Sequence, residues 1–251
     1  MAHGKLILKI CAGALVAASA GGAAAADPAG RYELSWRSGK SLRQKDADLA
    51  LREALLISAN GAVRELEAQG AFDAPNRRIA LPETLEAMRG DWNSVGRSGA
   101  LERLQTAMNA AAAVSVASAG APLKQAIATV DFFDPAGIVL SGDRAASQFL
   151  ALRTRADLER DLRPVVVAAL AQSGAFAALT EAGEAVGQAD KANGYRDPVT
   201  QRTLTGVLDA LFEEIGRNEQ GLRAEPAGRG SPLLEQVFSA APISRLARGG
   251  G

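Results

Sequence analysis

Residues 199–222 read VTQRTLTGVLDALFEEIGRNEQGL, and this stretch decides the fold class. Leu204, Val207, Leu208, Leu211, Phe212 and Ile215 recur at a period near 3.6 and so share one face of a helix. The same spacing appears upstream, where Leu49, Ala50, Leu55, Leu56, Ala59, Val63 and Leu66 follow one another from Leu42 onward. No segment alternates apolar and polar residues over the length of a strand. Val165-Val166-Val167 is the best β-branched run, and helical spacing flanks it on both sides. The chain reads as all-α, a compact bundle of about eight to ten helices with no sheet. Aromatic residues are only 4% while alanine is abundant, which lets helices approach closely.

Proline and glycine punctuate the rest. Gly70 ends the helix that starts near Leu42, and Phe72 to Pro82 forms an irregular link with Ile79 and Leu81 as apolar pegs. Pro82, Glu83 and Glu86 open the next helix, because acids suit the positive end of its dipole, and Gly90, Gly96 and Gly99 interrupt it. Leu101 to Ala119 is predicted as one helix, and Gly120-Ala121-Pro122 as the start of another that runs to about Val130. Asp134 is placed to cap a short helix begun by Pro135. Ser141-Gly142-Asp143 is read as the cap of a helix through Leu152, followed by a longer helix from Thr154 or Arg155 with Pro164 as a kink or boundary. A last helix covers Pro232 to Phe238. The domain layout is therefore a signal peptide (1–26), a flexible leader (27–41) that Tyr32 and Trp36 pin, one helical domain (42–239) and a disordered tail (240–251).

The N-terminus predicts export. Lys5 and Lys9 precede an apolar run from Ile10 to Ala20, and Ala24 and Ala26 suit the −3 and −1 positions of signal cleavage before Asp27-Pro28. Cys11 raises lipid anchoring as an alternative, but Lys9-Ile10 precede it and it sits inside the apolar run, so cleavage after Ala26 into the periplasm is preferred. Cleavage removes His3 and Cys11, the only histidine and cysteine. That excludes disulfides, thiol catalysis, Ser-His-Asp triads and metal sites of imidazole or thiolate in the mature chain. It also leaves 26 basic against 28 acidic residues, a balance that argues against a nucleic-acid partner. No later apolar stretch reaches the roughly 20 residues of a transmembrane helix.

The order of motifs resembles an exported bacterial family, domain-of-unknown-function family 4197. The resemblance rests on Leu51-Arg52-Glu53-Ala54-Leu55, Arg78-Ile79-Ala80-Leu81-Pro82, Met108-Asn109-Ala110-Ala111, Ile138-Val139-Leu140-Ser141-Gly142-Asp143 with Ala145-Ala146-Ser147, Arg163-Pro164-Val165, Val199-Thr200, and Glu219 with Leu222-Arg223, Pro226, Arg229, Leu233-Leu234 and Val237-Phe238. It spans roughly residues 42 to 239. Where the family usually carries an Arg and a Glu within Arg-Ala-Ala-Glu, this chain has Ala110 and Ala113. Ser147 stands where threonine is usual, Leu150 replaces an aromatic, and the stretch from Val199 to Glu219 is longer by about one helical turn. The resemblance implies a helical fold and export, and no known activity.

The candidate ligand-binding residues are Asn109, Asp143, Glu219, Arg223 and Arg229, with no catalytic residue, metal site or cofactor among the expectations. Asn109 beside Met108 reads as a buried amide, which unpaired would cost about 1–3 kcal/mol. Ser141-Gly142-Asp143 at a helix start offers backbone N–H groups to an anion, although Asp143 would repel one and capping is the simpler role. Glu219 and Arg223 are spaced for an i, i+4 ion pair worth a few tenths of a kcal/mol, or Arg223 and Arg229 rim a pocket for an acidic group. Asp131/Asp134 and Asp157/Glu159/Asp161 are the nearest paired acids, but a carbohydrate site would also want aromatic platforms. The expected function is a non-enzymatic periplasmic domain that binds an envelope protein or an apolar ligand between its helices. A carboxylate/arginine hydrolase or transferase and a self-associating structural protein are the alternatives.

Overall fold

In a computed structural model, the described residues are 25–26, 32–35, 41–90, 99–185, 187 and 189–240. The helices are α1 (Gln44–Leu66), α2 (Glu83–Ala87), α3 (Gly99–Thr129), α4 (Pro135–Leu140), α5 (Ala145–Gln172), α6 (Ala175–Ala185), α7 (Ala189–Ala192), α8 (Arg196–Ala224) and α9 (Pro232–Ala240). A short antiparallel ladder precedes them: β1 (Ala25–Ala26), β2 (Tyr32–Ser35) and β3 (Ser41–Arg43), with Leu34 opposite Leu42. The sequence reading placed an unpaired leader here; two to four residues per strand are too few for a period to register. The body is helical as expected. The greater part of the expected signal peptide, Trp36, Gly96 and the tail beyond residue 240 lie outside the described residues.

Helices α1, α3, α5 and α8 form the core: α8 lies against α1, α3 and α5, and α3 against α1 and α5. Helix α6 packs on α3, and the short α4 and α9 close against α1. The expected α8 stripe is correct. Leu204, Val207, Leu208, Leu211 and Ile215 are buried, and the same face continues through Glu219, Leu222 and Arg223. On α1 six of the seven expected residues lie on the packed face, Ala50, Leu55, Ala59 and Leu66 buried and Leu56 and Val63 half-buried against the core. Ala47, Ala50, Leu51, Ala54, Leu55, Ala59, Ala62 and Leu66 are buried, and Leu49 faces solvent at 47% exposure. Alanine carries that face because α8 and α3 both approach it closely.

Two predicted breaks are absent. Helix α3 runs unbroken through Gly120 and Pro122, and α5 through Thr154 and Pro164. An internal proline costs about 3 kcal/mol of helix propensity. Burial of Val116, Ala119, Leu123 and Ile127 around Pro122, and of Leu158, Leu162, Val166 and Leu170 around Pro164, offsets it. The corner between α5 and α6 is made at Gly174, whose φ of +79° is open to glycine and strained for other residues. Four buried hydroxyls are satisfied within their own helices, Ser115 donating to Ala111 O, Thr154 to Leu150 O, Thr200 to Arg196 O and Thr203 to Val199 O, whereas Ser58 Oγ has no partner among the described residues. Among the described residues no single helix is long and apolar enough to cross a membrane.

Candidate functional site

Helix α5 begins without a side-chain cap of its own. Ser141, expected to supply it, instead donates to the Gly137 carbonyl at 2.7 Å. The cap comes from α8: the Glu219 carboxylate accepts from Ala146 N at 3.1 Å and Ser147 N at 2.7 Å. Glu219 is fully buried. Its charge faces the positive end of the α5 dipole and the Arg223 guanidinium, whose Nε is 2.8 Å away. Arg223 also donates to Val139 O at 2.8 Å and Ile138 O at 3.4 Å, and lies over the Phe238 ring at 4.8 Å from its centroid. One ion pair thus joins α4, α5, α8 and α9. Gly216 allows the approach, since a Cβ there would lie 3.2 Å from Arg144 Cδ and 3.3 Å from Ser147 Oγ. Both charges are spent on internal partners.

Arg52 and Glu53 on α1 perform similar tasks. Arg52 binds Asp48 through both oxygens at 2.9 Å and donates to the carbonyls of Ile127, Ala128 and Val130, closing the C-terminal end of α3. Glu53 accepts from Ser231 N and Oγ, both at 2.6 Å, and Ser231 Oγ accepts from Leu234 N to cap α9. At the other end of α4, the Asp134 carboxylate accepts from Gly137 N, as the sequence predicts.

The buried Asn109 holds the irregular link. Its Oδ1 accepts from Ile79 N at 2.8 Å, and its Nδ2 donates to Ile79 O at 3.1 Å and Gln105 O at 2.7 Å. Asn109 also lines a groove of about 760 Å³ between the end of α1, the link and α3. Phe72, Ala110, Ala113, Val114 and Ala117 give it apolar walls, and the exposed Glu67 and Asp73 stand at its edge.

On the opposite flank of the link, Arg77 donates to Glu65 at 2.5 Å and Glu214 at 2.8 Å, and Arg217 also bonds Glu214. Burial, and then the hydrogen bond shared with Glu65, pushes the Glu214 carboxyl above the usual carboxylate range; Arg217 and Arg77 oppose this without cancelling it. The hydrogen bond from Arg77 holds Glu65 below that range, and the same bond raises Arg77 in turn. The Nε atoms of Arg77 and Arg217 are buried and have no acceptor among the described residues.

The model of a family described as proteins of unknown function, DUF4197, matches residues 41–239. The chain belongs to this family. No curated protein and no solved structure matches it. In this DUF4197 protein the five candidate residues do not form one site. Glu219 and Arg223 meet in the core, and Asn109 lies at the groove on α3. Asp143 is half-buried in the turn before α5. Arg229 pairs with Glu225 at 3.0 Å on the surface and makes no bond to Glu219. Three of the other acids are occupied too: Arg160 bonds Asp157 and Asp161, and Glu159 accepts from Gln201. Ala110 and Ala113 both line the groove. Among the described residues no three acidic, histidine or cysteine side chains converge to hold a metal ion. Sequence reasoning missed Arg52, Glu53, Glu65, Arg77 and Glu214 as partners. Only Glu214 carried a signal, because it follows Leu211 by three and Val207 by seven on the buried side of α8.

Proposed function

We propose that this DUF4197 protein is an exported, periplasmic, non-enzymatic binding domain, and that its groove on α3 takes an apolar, basic-flanked segment of another envelope protein. The observation that carries this reading is the groove itself. About 760 Å³ lies within the size of established binding clefts. Its walls are small and apolar, Val114 remains 58% exposed within it, and Glu67 and Asp73 set a negative edge that favours a basic partner. Export is supported by the basic, apolar and small-residue run ahead of Asp27.

A photo-crosslinking residue at position 114, expressed in the native periplasm, tests the reading. The expected adduct is a protein whose crosslinked segment is apolar and carries Lys or Arg. Adduct yield should fall when Ala113→Trp fills the groove and when Glu67→Lys with Asp73→Lys reverses its edge. An adduct to lipid alone would make the groove a carrier site and overturn the partner reading. Two rivals each have one supporting observation. The opposed ionisation of Glu65 and Glu214 is the pattern of an acid/base pair, although arginine engages both carboxylates. The exposed Phe133 (72%) and Leu152 (82%) favour self-association, which native mass spectrometry would show as a dimer.

A further inference from the structure

Residues 76–79 of the link and the outward face of α8 enclose a second pocket, of about 410 Å³. Four arginines line it, Arg77, Arg78, Arg202 and Arg217, against two acids, Asp209 and Glu213. Those acids are already engaged from α5: Arg155 donates to Asp209 at 2.6 Å and Arg144 to Glu213 at 2.9 Å. With Glu65 and Glu214 included, six guanidinium groups face four carboxylates, an excess of two positive charges.

The donors facing the pocket are only partly used. Arg202 spends its Nε on the Ala80 carbonyl at 3.2 Å and makes no other hydrogen bond among the described residues. Arg78 reaches only Gln105 Oε1 at 3.5 Å, the outer limit of a hydrogen bond. Arg77 and Arg217 are instead spent on Glu65 and Glu214. Arg78 from the link and Arg202 from α8 thus line the pocket with donors to spare. We infer that this pocket binds a phosphate group, with Arg78 and Arg202 donating to its oxygens. Donors arriving from different directions suit a tetrahedral dianion better than a flat monocarboxylate, and the two-charge excess matches it. Arginine forks are the usual partners of such oxygens. The group belongs either to a soluble phosphate or to a phospholipid head, and the two sources are separable by experiment.

Titration calorimetry of the purified mature protein with inorganic phosphate in low-salt chloride buffer is the direct test. One saturable site is expected, and Arg78→Gln and Arg202→Gln should each weaken it about tenfold or more, the worth of one charge-assisted bond. Both side chains are exposed, so folding should survive, and circular dichroism verifies it. Arg160→Gln, a surface arginine that bonds Asp157 and Asp161 outside the pocket, should bind as wild type. Equal weakening in that variant would reduce the effect to bulk charge and overturn the site. Co-sedimentation with vesicles containing phosphatidic acid, but not with phosphatidylcholine alone, and its loss in Arg202→Gln, would assign the group to a lipid head. Phosphate binding without such co-sedimentation would assign it to a soluble ligand. Saturable binding of neither probe refutes the proposal.

Discussion

Glu219→Gln tests the reading that one buried ion pair holds the C-terminal half together. An exposed i, i+4 pair on a helix is worth about 0.2–0.5 kcal/mol. Here both partners are buried and the carboxylate also caps α5, so a different magnitude applies. The amide retains one acceptor for the Ala146 and Ser147 N–H groups, but its NH2 opposes the second and repels Arg223. Arg223 is then left as an uncompensated buried charge, with only the carbonyls of Val139 and Ile138 and the Phe238 face. Breaking a buried pair in this way costs about 3–5 kcal/mol, a large share of the 5–15 kcal/mol typical of a domain. At roughly 2–4 °C per kcal/mol for a domain of this size, the midpoint should fall by about 6–20 °C. Urea denaturation should show the loss as a lower midpoint with unchanged slope. Glu219→Gln/Arg223→Met removes the stranded charge and should recover part of the loss. A Glu219→Gln protein melting within about 2 °C of wild type, less than 1 kcal/mol on the same scale, or a double mutant as unstable as the sum of the singles, would refute the hub.

Phe238→Ala should cost about 3–5 kcal/mol, because the ring is buried and carries Arg223 on its face. Arg229→Ala removes only an exposed pair with Glu225 and should change stability by less than about 1 kcal/mol. Thermal melts of the two variants separate a docked α9 from a loose one. The carboxylate pair predicts a pH profile with two limbs. Glu214, raised in the fold, burdens the native state above its native pKa, so stability rises as pH falls through that value. Glu65, depressed in the fold, contributes stability above the ordinary carboxylate range and loses it as pH falls through its lowered value. Melting temperature should therefore peak on the acid side of neutral, and Glu214→Gln should abolish the rise while keeping the fall. Identical profiles for wild type and Glu214→Gln would contradict the assignment.

The α8 stripe was legible because apolar spacing reports one helix's own geometry, and it located Leu204, Val207, Leu208, Leu211 and Ile215 correctly. Asp134 with Pro135 was legible for the same reason, since a cap and its helix are neighbours in sequence. The α1 face was read correctly except at Leu49, which is exposed; Ala47, Ala54 and Ala62, where α1 also meets its neighbours, went unread because alanine weighs little in a hydrophobic pattern. The helix boundaries expected at Gly120–Pro122 and between Leu152 and Thr154 failed because local cost is judged without the burial that offsets it.

The candidate sites divide in the same way. Sequence alone established the helical class, the family resemblance and the chemistry available once His3 and Cys11 are set aside. It marked Asn109, Glu219 and Arg223 as polar residues on helical faces, but their partners lie far along the chain. Asn109 needs the Ile79 peptide, Glu219 needs the first turn of α5, and Glu53 needs Ser231. Hydrogen bonds and charge pairs act over a few ångströms, whereas periodicity reports only the spacing within one element. Only the packing of α1, α3, α5 and α8 decided which charges were spent inside the fold. The same packing left Arg78 and Arg202 with donors to offer.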